Sequence, residues 1–153
     1  MADRRLTGRR ALVACLAGLA ACAAVPIELP LAGTAWRLTA IQSMDDAQGT
    51  TPITDPSRYT LRFDADGRAA LRLDCNRATG SWTAQSAGDH TGSLRLGPIA
   101  ATLMACPPPT LGERLVRDLG YVRGYRLADG KLFLSLMADG GILEWVPEPL
   151  TRP

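Results

Sequence analysis

The sequence has few aromatic residues, a single histidine, little charge imbalance and no apolar stretch long enough to cross a bilayer as a helix. Aromatic residues make up 5% of its 153 positions, and 17 basic residues stand against 15 acidic ones. A formal charge of +2 excludes a heavily basic nucleic-acid-binding protein. The apolar run over residues 11–21 is shorter than the roughly 20 residues that a membrane-spanning helix needs.

Motifs of catalysis and metal binding are also absent. The lone His90 stands in a polar, glycine-containing stretch typical of an exposed turn, and the cysteines do not share a zinc-site spacing with it. Asp64 and Asp66 resemble the start of a calcium loop that lacks its later ligands. Neither a phosphate-binding glycine loop nor a Gly-x-Ser-x-Gly elbow occurs. We therefore expect no enzyme activity, no metal and no cofactor.

What the chain does carry is an export signal. Four arginines within the first ten residues precede the apolar run 11–21, the order of a secretory signal peptide over residues 1–21. The run ends in Leu19-Ala20-Ala21-Cys22, which resembles the lipobox of bacterial lipoproteins and predicts lipidation of Cys22. The alternatives are a plain secretory signal with an incidental cysteine, or a short N-terminal anchor.

Removal of this segment changes the net charge of the chain, and the segment itself indicates where the mature protein is located. Without residues 1–21 the chain has 13 basic and 14 acidic residues, net −1, so nucleic-acid binding is not expected. We expect a bacterial cell-envelope protein, attached through its N-terminal lipid to the outer membrane and facing the periplasm. Residues 22–33 contain Pro26, Pro30 and Gly33 and are interpreted as a tether.

The cysteines that remain in the mature chain suggest a disulfide. Cys15 leaves with the signal and Cys22 takes the lipid, so Cys75 and Cys106 are left in an oxidising compartment. The alternative is two buried free thiols.

Residues 34–147 are predicted to form one domain, followed by a tail over 148–153. Apolar and polar residues alternate over 59–63, 71–75 and 132–136, which is typical of half-buried antiparallel strands. Turn sequences ending in Gly67, Gly130 and Gly141 separate such runs, whereas residues 44–57 have the composition of an exposed loop. The pattern predicts a mainly β (α+β) fold of seven or eight strands: a curved antiparallel meander or partly closed small barrel.

One segment has helical periodicity. Leu111, Leu115 and Leu119 recur every four residues, Thr110 and Glu113 form a capping-box pattern, and Gly120 suits a C-terminal stop. A helix over about 110–119 is expected to pack its leucines against the sheet.

Two motifs carry a family resemblance. Cys75-Asn76-x-x-x-Gly80 is followed by Thr102-x-Met104-x-Cys106 and by Glu113 in the helix, after an opening strand with Trp36. In that order the motifs resemble the META-domain family, the HslJ-like bacterial lipoproteins, over residues 31–147. The resemblance implies a small barrel-like domain with a packed helix, exported and often lipidated. It also implies a link to envelope stress and drug tolerance, without an established biochemical activity.

The motif residues have mainly structural interpretations. We expect Asn76 to cap a left-handed corner, Gly80 to allow close backbone approach, and Met104 to fill the core beside the disulfide. The sequence departs from the commoner family pattern at Asp74, where glycine is usual, and at Ala78, where an aromatic residue is usual.

Tryptophans and arginines are the candidate residues of a contact surface. Trp36 and Trp145 stand in alternating runs and are expected to be buried, whereas Trp82 could lie on either face. Arginines cluster around the helix end, either to complement its C-terminus or to form a basic patch facing lipopolysaccharide or anionic lipid. The residues of this candidate surface are Trp82, Arg114, Arg117, Arg123 and Arg126.

Two functions follow from these features. The first is a non-enzymatic envelope lipoprotein that works in stress or drug tolerance through contacts with an unidentified envelope protein or ligand. The alternative is a barrel that holds a small apolar ligand or inhibits an enzyme such as lysozyme. A continuous apolar cavity inside the sheet would favour the alternative, and a filled interior with an exposed patch would favour the first.

Overall fold

A computed structural model describes residues 30–45, 47–88 and 90–149. The signal peptide and the lipidation site Cys22 therefore lie outside the described residues. The strands are β1 (Thr34–Gln42), β2 (Thr50–Pro52), β3 (Tyr59–Phe63), β4 (Arg68–Leu73), β5 (Asn76–Ser86), β6 (Thr91–Leu96), β7 (Ala100–Ala101), β8 (Val122–Ala128), β9 (Lys131–Leu136) and β10 (Ile142–Pro147); the helix is α1 (Gly112–Gly120). A 3-10 turn, Pro56–Arg58, precedes β3.

Eight of the strands form a closed antiparallel barrel. Their order around the ring is β10-β9-β8-β6-β5-β4-β3-β1, and β10 closes the ring by pairing with β1. The short strands β2 and β7 add to β1 and β5 outside this path. The predicted mainly β fold with one packed helix is confirmed, and the barrel is closed.

Strand alternation decides what enters the interior. In β3, Tyr59, Leu61 and Phe63 are buried, whereas Thr60 and Arg62 face outward. The hairpin between β3 and β4 turns at Gly67, whose φ of +83° lies in the left-handed region that glycine adopts freely. Period-two burial therefore gives each strand one apolar face toward a common core.

The interior is filled with large side chains. Members that are essentially fully buried include Trp145, Phe63, Leu31, Leu38, Leu61, Leu94, Leu115, Leu119, Leu132 and Leu134. Leu31 belongs to the predicted tether 22–33, but it packs in this cluster, and the nearby Gly33 donates its backbone N–H to the Phe63 carbonyl. At the other end of the domain, the Glu148 N–H donates to the carbonyl of Ala35.

The helix begins later than predicted. Leu111 is its N-cap, without a side-chain cap, and donates its N–H to the Tyr59 hydroxyl at 3.0 Å. The capping box between Thr110 and Glu113 is therefore wrong, because the contact with Tyr59 fixes the chain just before the first turn. The leucine stripe is confirmed, since Leu115 and Leu119 are fully buried.

Two smaller expectations also change. Gly120 is the last helical residue rather than a left-handed stop, because its φ is not positive. The segment 44–57 is not wholly an exposed loop: it contains β2, and Ile53 is buried against the core.

Candidate functional site

The two halves of the motif meet through the side chain of Asn76. Its Nδ2 donates to the Met104 carbonyl at 2.9 Å, and its Oδ1 accepts from the Met104 N–H at 2.7 Å. The Thr102 hydroxyl donates to the same Oδ1 at 2.8 Å and accepts from the Arg77 N–H at 3.1 Å. Asn76 thus satisfies both backbone groups of Met104, as a neighbouring strand would.

A disulfide joins the same two segments. Cys75 and Cys106 are bonded, with their Cα atoms 5.7 Å apart and a sequence separation of 31. The Cys106 sulfur accepts from the Cys75 N–H and from Asn76 Nδ2, each at 3.3 Å. The segment 102–106 is therefore held at its start by the backbone hydrogen bond from the Thr102 N–H to the Arg77 carbonyl, and beyond it by a covalent bond and by side-chain hydrogen bonds.

The left-handed residue of the corner is Asp74, not Asn76 as predicted. Asp74 has a φ of +66°, which explains why glycine is common there in the family pattern. Its side chain is buried and forms a short ion pair with Arg58, whose Nε and Nη2 lie 2.7 and 2.6 Å from Oδ1. Asp74 meets the steric cost of this conformation with a contact that glycine could not make.

The electrostatics of the corner favour the Asp74 carboxylate. Burial raises the pKa of this group, but the hydrogen bond from Arg58 and the charges of Arg58 and Arg72 outweigh it. The pKa of Asp74 consequently lies below its ordinary value.

A groove of about 430 Å³ lies beside this corner, on the outside of the filled barrel. Its walls are the segment 101–106, the start of the helix and the end of β4. The motif residues Asn76, Thr102, Met104, Cys106 and Glu113 all line it. Gly80 is not in the wall, but a Cβ there would lie 3.2 Å from the Pro98 carbonyl oxygen, as the close-approach interpretation expects.

Apolar side chains of this groove are exposed. Leu103 is 94% exposed and Met104 is 58% exposed. The expectation that Met104 fills the core is wrong, because its backbone is anchored to Asn76 on the outer side of the barrel. The sequence analysis does not identify Leu103 as a site residue. The adjacent apolar residues Leu103 and Met104, shortly before Cys106 and three prolines, are the sequence feature that could have indicated it.

The tryptophans are all part of the core. Trp36 and Trp145 are buried, as predicted. Trp82 is 4% exposed, donates its indole N–H to the Asp64 carbonyl at 3.0 Å and packs edge-on against Phe63 at 5.1 Å between ring centroids. Its assignment to a contact surface is wrong.

The arginines near the helix are largely engaged. Arg114 and Arg117 lie 3.2 and 3.5 Å from carboxylate oxygens of Asp118. Arg123 donates to the carbonyls of Gly120 and Val122 at the helix end. This geometry favours complementing the helix C-terminus over a free basic patch. Arg126 stacks over the Phe133 ring, 4.4 Å from its centroid.

The geometry gives little support to catalysis by His90 or to a metal site. His90 is exposed. Within residues 30–45, 47–88 and 90–149, no group of three metal-ligating side chains comes together. In the same part of the chain, the one helix is too short to traverse a bilayer.

Solved structures of other proteins have a similar fold. One is an NMR structure of a protein from Burkholderia xenovorans, with a TM-score of 0.62, 23% identity, and coverage of 80% of this chain and 85% of that one. Another is a crystal structure of a DUF4847 family protein from Bacteroides vulgatus, with a TM-score of 0.52, 13% identity, and coverage of 76% and 94%. At these identities the similarity concerns the fold alone.

Sequence comparison assigns the family. No curated protein matches the chain. The family model of the META domain matches residues 29–148, which includes the closed barrel, the helix and both halves of the disulfide-linked motif. The chain therefore belongs to the META-domain family.

Proposed function

We propose that this protein is a non-enzymatic cell-envelope lipoprotein whose META domain acts by binding. Cys22 carries the lipid, the anchor is in the outer membrane, and the domain faces the periplasm. The basic segment, the apolar run and the lipobox-like Leu19–Cys22 support this location. The role is in envelope stress or drug tolerance, in keeping with the family.

The observation that carries the binding role is the exposure of Leu103 and Met104 on a restrained segment. Apolar side chains in water are favourable targets for a partner, because covering them removes apolar surface from solvent. Asn76 and the Cys75–Cys106 bond already fix their backbone. A preorganised segment loses less conformational entropy on binding than a free loop does.

A small apolar ligand in the same groove is the second candidate. The barrel interior is packed with side chains, so an interior ligand site has no support from the described core. The groove beside the motif, at about 430 Å³, falls within the size range of small-molecule sites. Inhibition of an enzyme such as lysozyme would use the same exposed segment.

Site-specific photocrosslinking tests the binding role. A benzophenone amino acid replaces Leu103 in the full chain, and Gln85, an exposed residue near the far end of β5, serves as the matched control. Irradiation of intact envelopes should give a discrete adduct from position 103 and none from position 85. Equal labelling from both positions, or none from either, would contradict a binding role for the groove.

The anchor is tested separately by mass spectrometry. The mature N-terminus should be Cys22 carrying acyl chains, and globomycin, which blocks the lipoprotein signal peptidase, should cause the precursor to accumulate. A mature chain without lipid at Cys22 would refute the anchor but leave the groove experiment interpretable.

A further inference from the structure

Three arginines form a row across the outer wall of the barrel. The strand register places Arg37 of β1 opposite Thr60 of β3, Thr60 opposite Arg72 of β4, and Arg72 opposite Arg77 of β5. Arg37, Thr60 and Arg72 each stand between two buried residues, Arg77 precedes the buried Ala78, and Arg72 and Arg77 are exposed. The sheet therefore gathers cationic side chains from strands that are distant in sequence.

The pair Arg72 and Arg77 is electrostatically unfavourable by itself. Like charges directly opposite each other on neighbouring strands destabilise a sheet. Arg62 has a carboxylate partner in Asp64 at 2.8 Å, whereas the described residues provide no carboxylate within 4.0 Å of Arg72 or Arg77. Arg72 donates through Nε to the backbone carbonyl of Asp74 at 3.2 Å, and the Asp74 carboxylate, whose pKa the charge of Arg72 helps to lower, is already paired directly with Arg58.

A groove of about 310 Å³ runs along this surface. The small side chains of Ala35 and Ala70 give it depth, and its lining includes Thr60, Arg62, Arg72 and Arg77. Glu148 contributes the one carboxylate of the lining, and Arg37, at 3.7 Å, offsets its charge. The other ionisable groups of the groove are arginines.

We propose that this groove binds the phosphate group of an anionic lipid headgroup between Arg72 and Arg77. A guanidinium presents a planar fork of N–H donors that matches phosphate oxygens, and the Thr60 hydroxyl offers a further donor. A phosphate between the two guanidinium groups replaces their mutual repulsion with two attractive contacts. The positive charges of Arg72 and Arg77 thus complement the negative charge of a phosphate.

The choice of a lipid phosphate rests on the proposed anchor at Cys22. Pro30 follows Cys22 by eight positions, a reach of at most about 29 Å when fully extended. Ala35 of the groove follows on the first strand, and Glu148 and Pro149 bring the end of the domain to the same place. A lipidated chain would hold this wall within reach of headgroups.

The test follows the arginine Nε–H signals by NMR in the full chain, solubilised in an uncharged detergent. Dihexanoyl phosphatidic acid, dihexanoyl phosphatidylcholine and inorganic phosphate are titrated in parallel. Phosphatidic acid should shift the signals of Arg72 and Arg77 saturably, and the other two compounds should not do so at the same concentration. Because the lipid is added as a free molecule, the result does not depend on acylation of Cys22.

A substitution of an arginine outside the groove gives the control. The double variant Arg72→Gln/Arg77→Gln should weaken phosphatidic acid binding by about tenfold or more, while Arg95→Gln, at an exposed position of β6, should leave it unchanged. A folded double variant with unchanged affinity would overturn the proposal, as would the absence of shifts in the native chain. An equal response to inorganic phosphate would overturn the assignment to a lipid.

Discussion

The side-chain amide of Asn76 forms two hydrogen bonds with the backbone of Met104, donating at 2.9 Å and accepting at 2.7 Å. This reciprocal pair replaces a strand partner for the segment that carries the exposed Leu103. Asn76 of the family motif therefore positions the backbone at Met104, and the position of that backbone in turn exposes the side chain of Leu103.

Substitution of Asn76 should lower stability. Asn76→Ala removes both contacts with Met104 and leaves the Thr102 hydroxyl without its acceptor, so we expect a loss of about 1–3 kcal/mol in the free energy of unfolding, measured by urea denaturation. Asn76→Asp keeps the acceptor but loses the donor, and should fall between the alanine variant and the native chain. Equal stability of Asn76→Ala and native protein would contradict the bridging role.

Reduction of the disulfide should have a larger effect. Its span of 31 residues predicts a loss of about 3–4 kcal/mol through loop-closure entropy in the unfolded chain. Thermal unfolding of Cys75→Ser/Cys106→Ser should match that of the native chain in excess dithiothreitol. The double variant itself should not respond to dithiothreitol, and a response there would indicate that another thiol is responsible.

The corner at Asp74 predicts a pH dependence. Because the folded-state pKa lies below the ordinary value, the carboxylate contributes stability above the unfolded pKa of about 3.9, and this contribution is lost as the pH falls through the lower folded value. Denaturation midpoints between pH 7 and pH 2 should therefore fall more for the native chain than for Asp74→Asn. Parallel curves would show that Asp74 does not contribute to acid sensitivity.

Relief of the arginine repulsion should stabilise the barrel. Arg77→Thr removes the like charge opposite Arg72 and places a strand-favouring residue there, so we expect a gain of about 0.2–1 kcal/mol at low salt. The gain should shrink at about 1 M salt, where screening is strong. Arg95→Thr, which stands opposite Thr83, separates propensity from charge: it should show little salt dependence.

Several site predictions failed because they depend on contacts between segments far apart in the chain. Residues 102–106 lie outside the strands, and the adjacent Leu103 and Met104 are both exposed, so the contact of Asn76 with the Met104 backbone, and not alternation, decides that Met104 faces outward. Trp82 does lie in a strand, but alternation alone does not say which face of that strand is inside. Likewise, Asp and Asn both tolerate left-handed backbone, so composition could not choose between Asp74 and Asn76.

The sequence by itself determined the strand alternation, the turn at Gly67, the leucine stripe of the helix and the single pairing open to Cys75 and Cys106. The first three features depend on residues close together in the chain, and the last depends on the number of cysteines left in the mature chain. The tertiary structure decided the closure of the barrel by β1 and β10, the exposure of Leu103 and the row that unites Arg72 with Arg37 and Arg77. Such features depend on the register of strands far apart in sequence, and a shift of one residue would reverse which side chains face water.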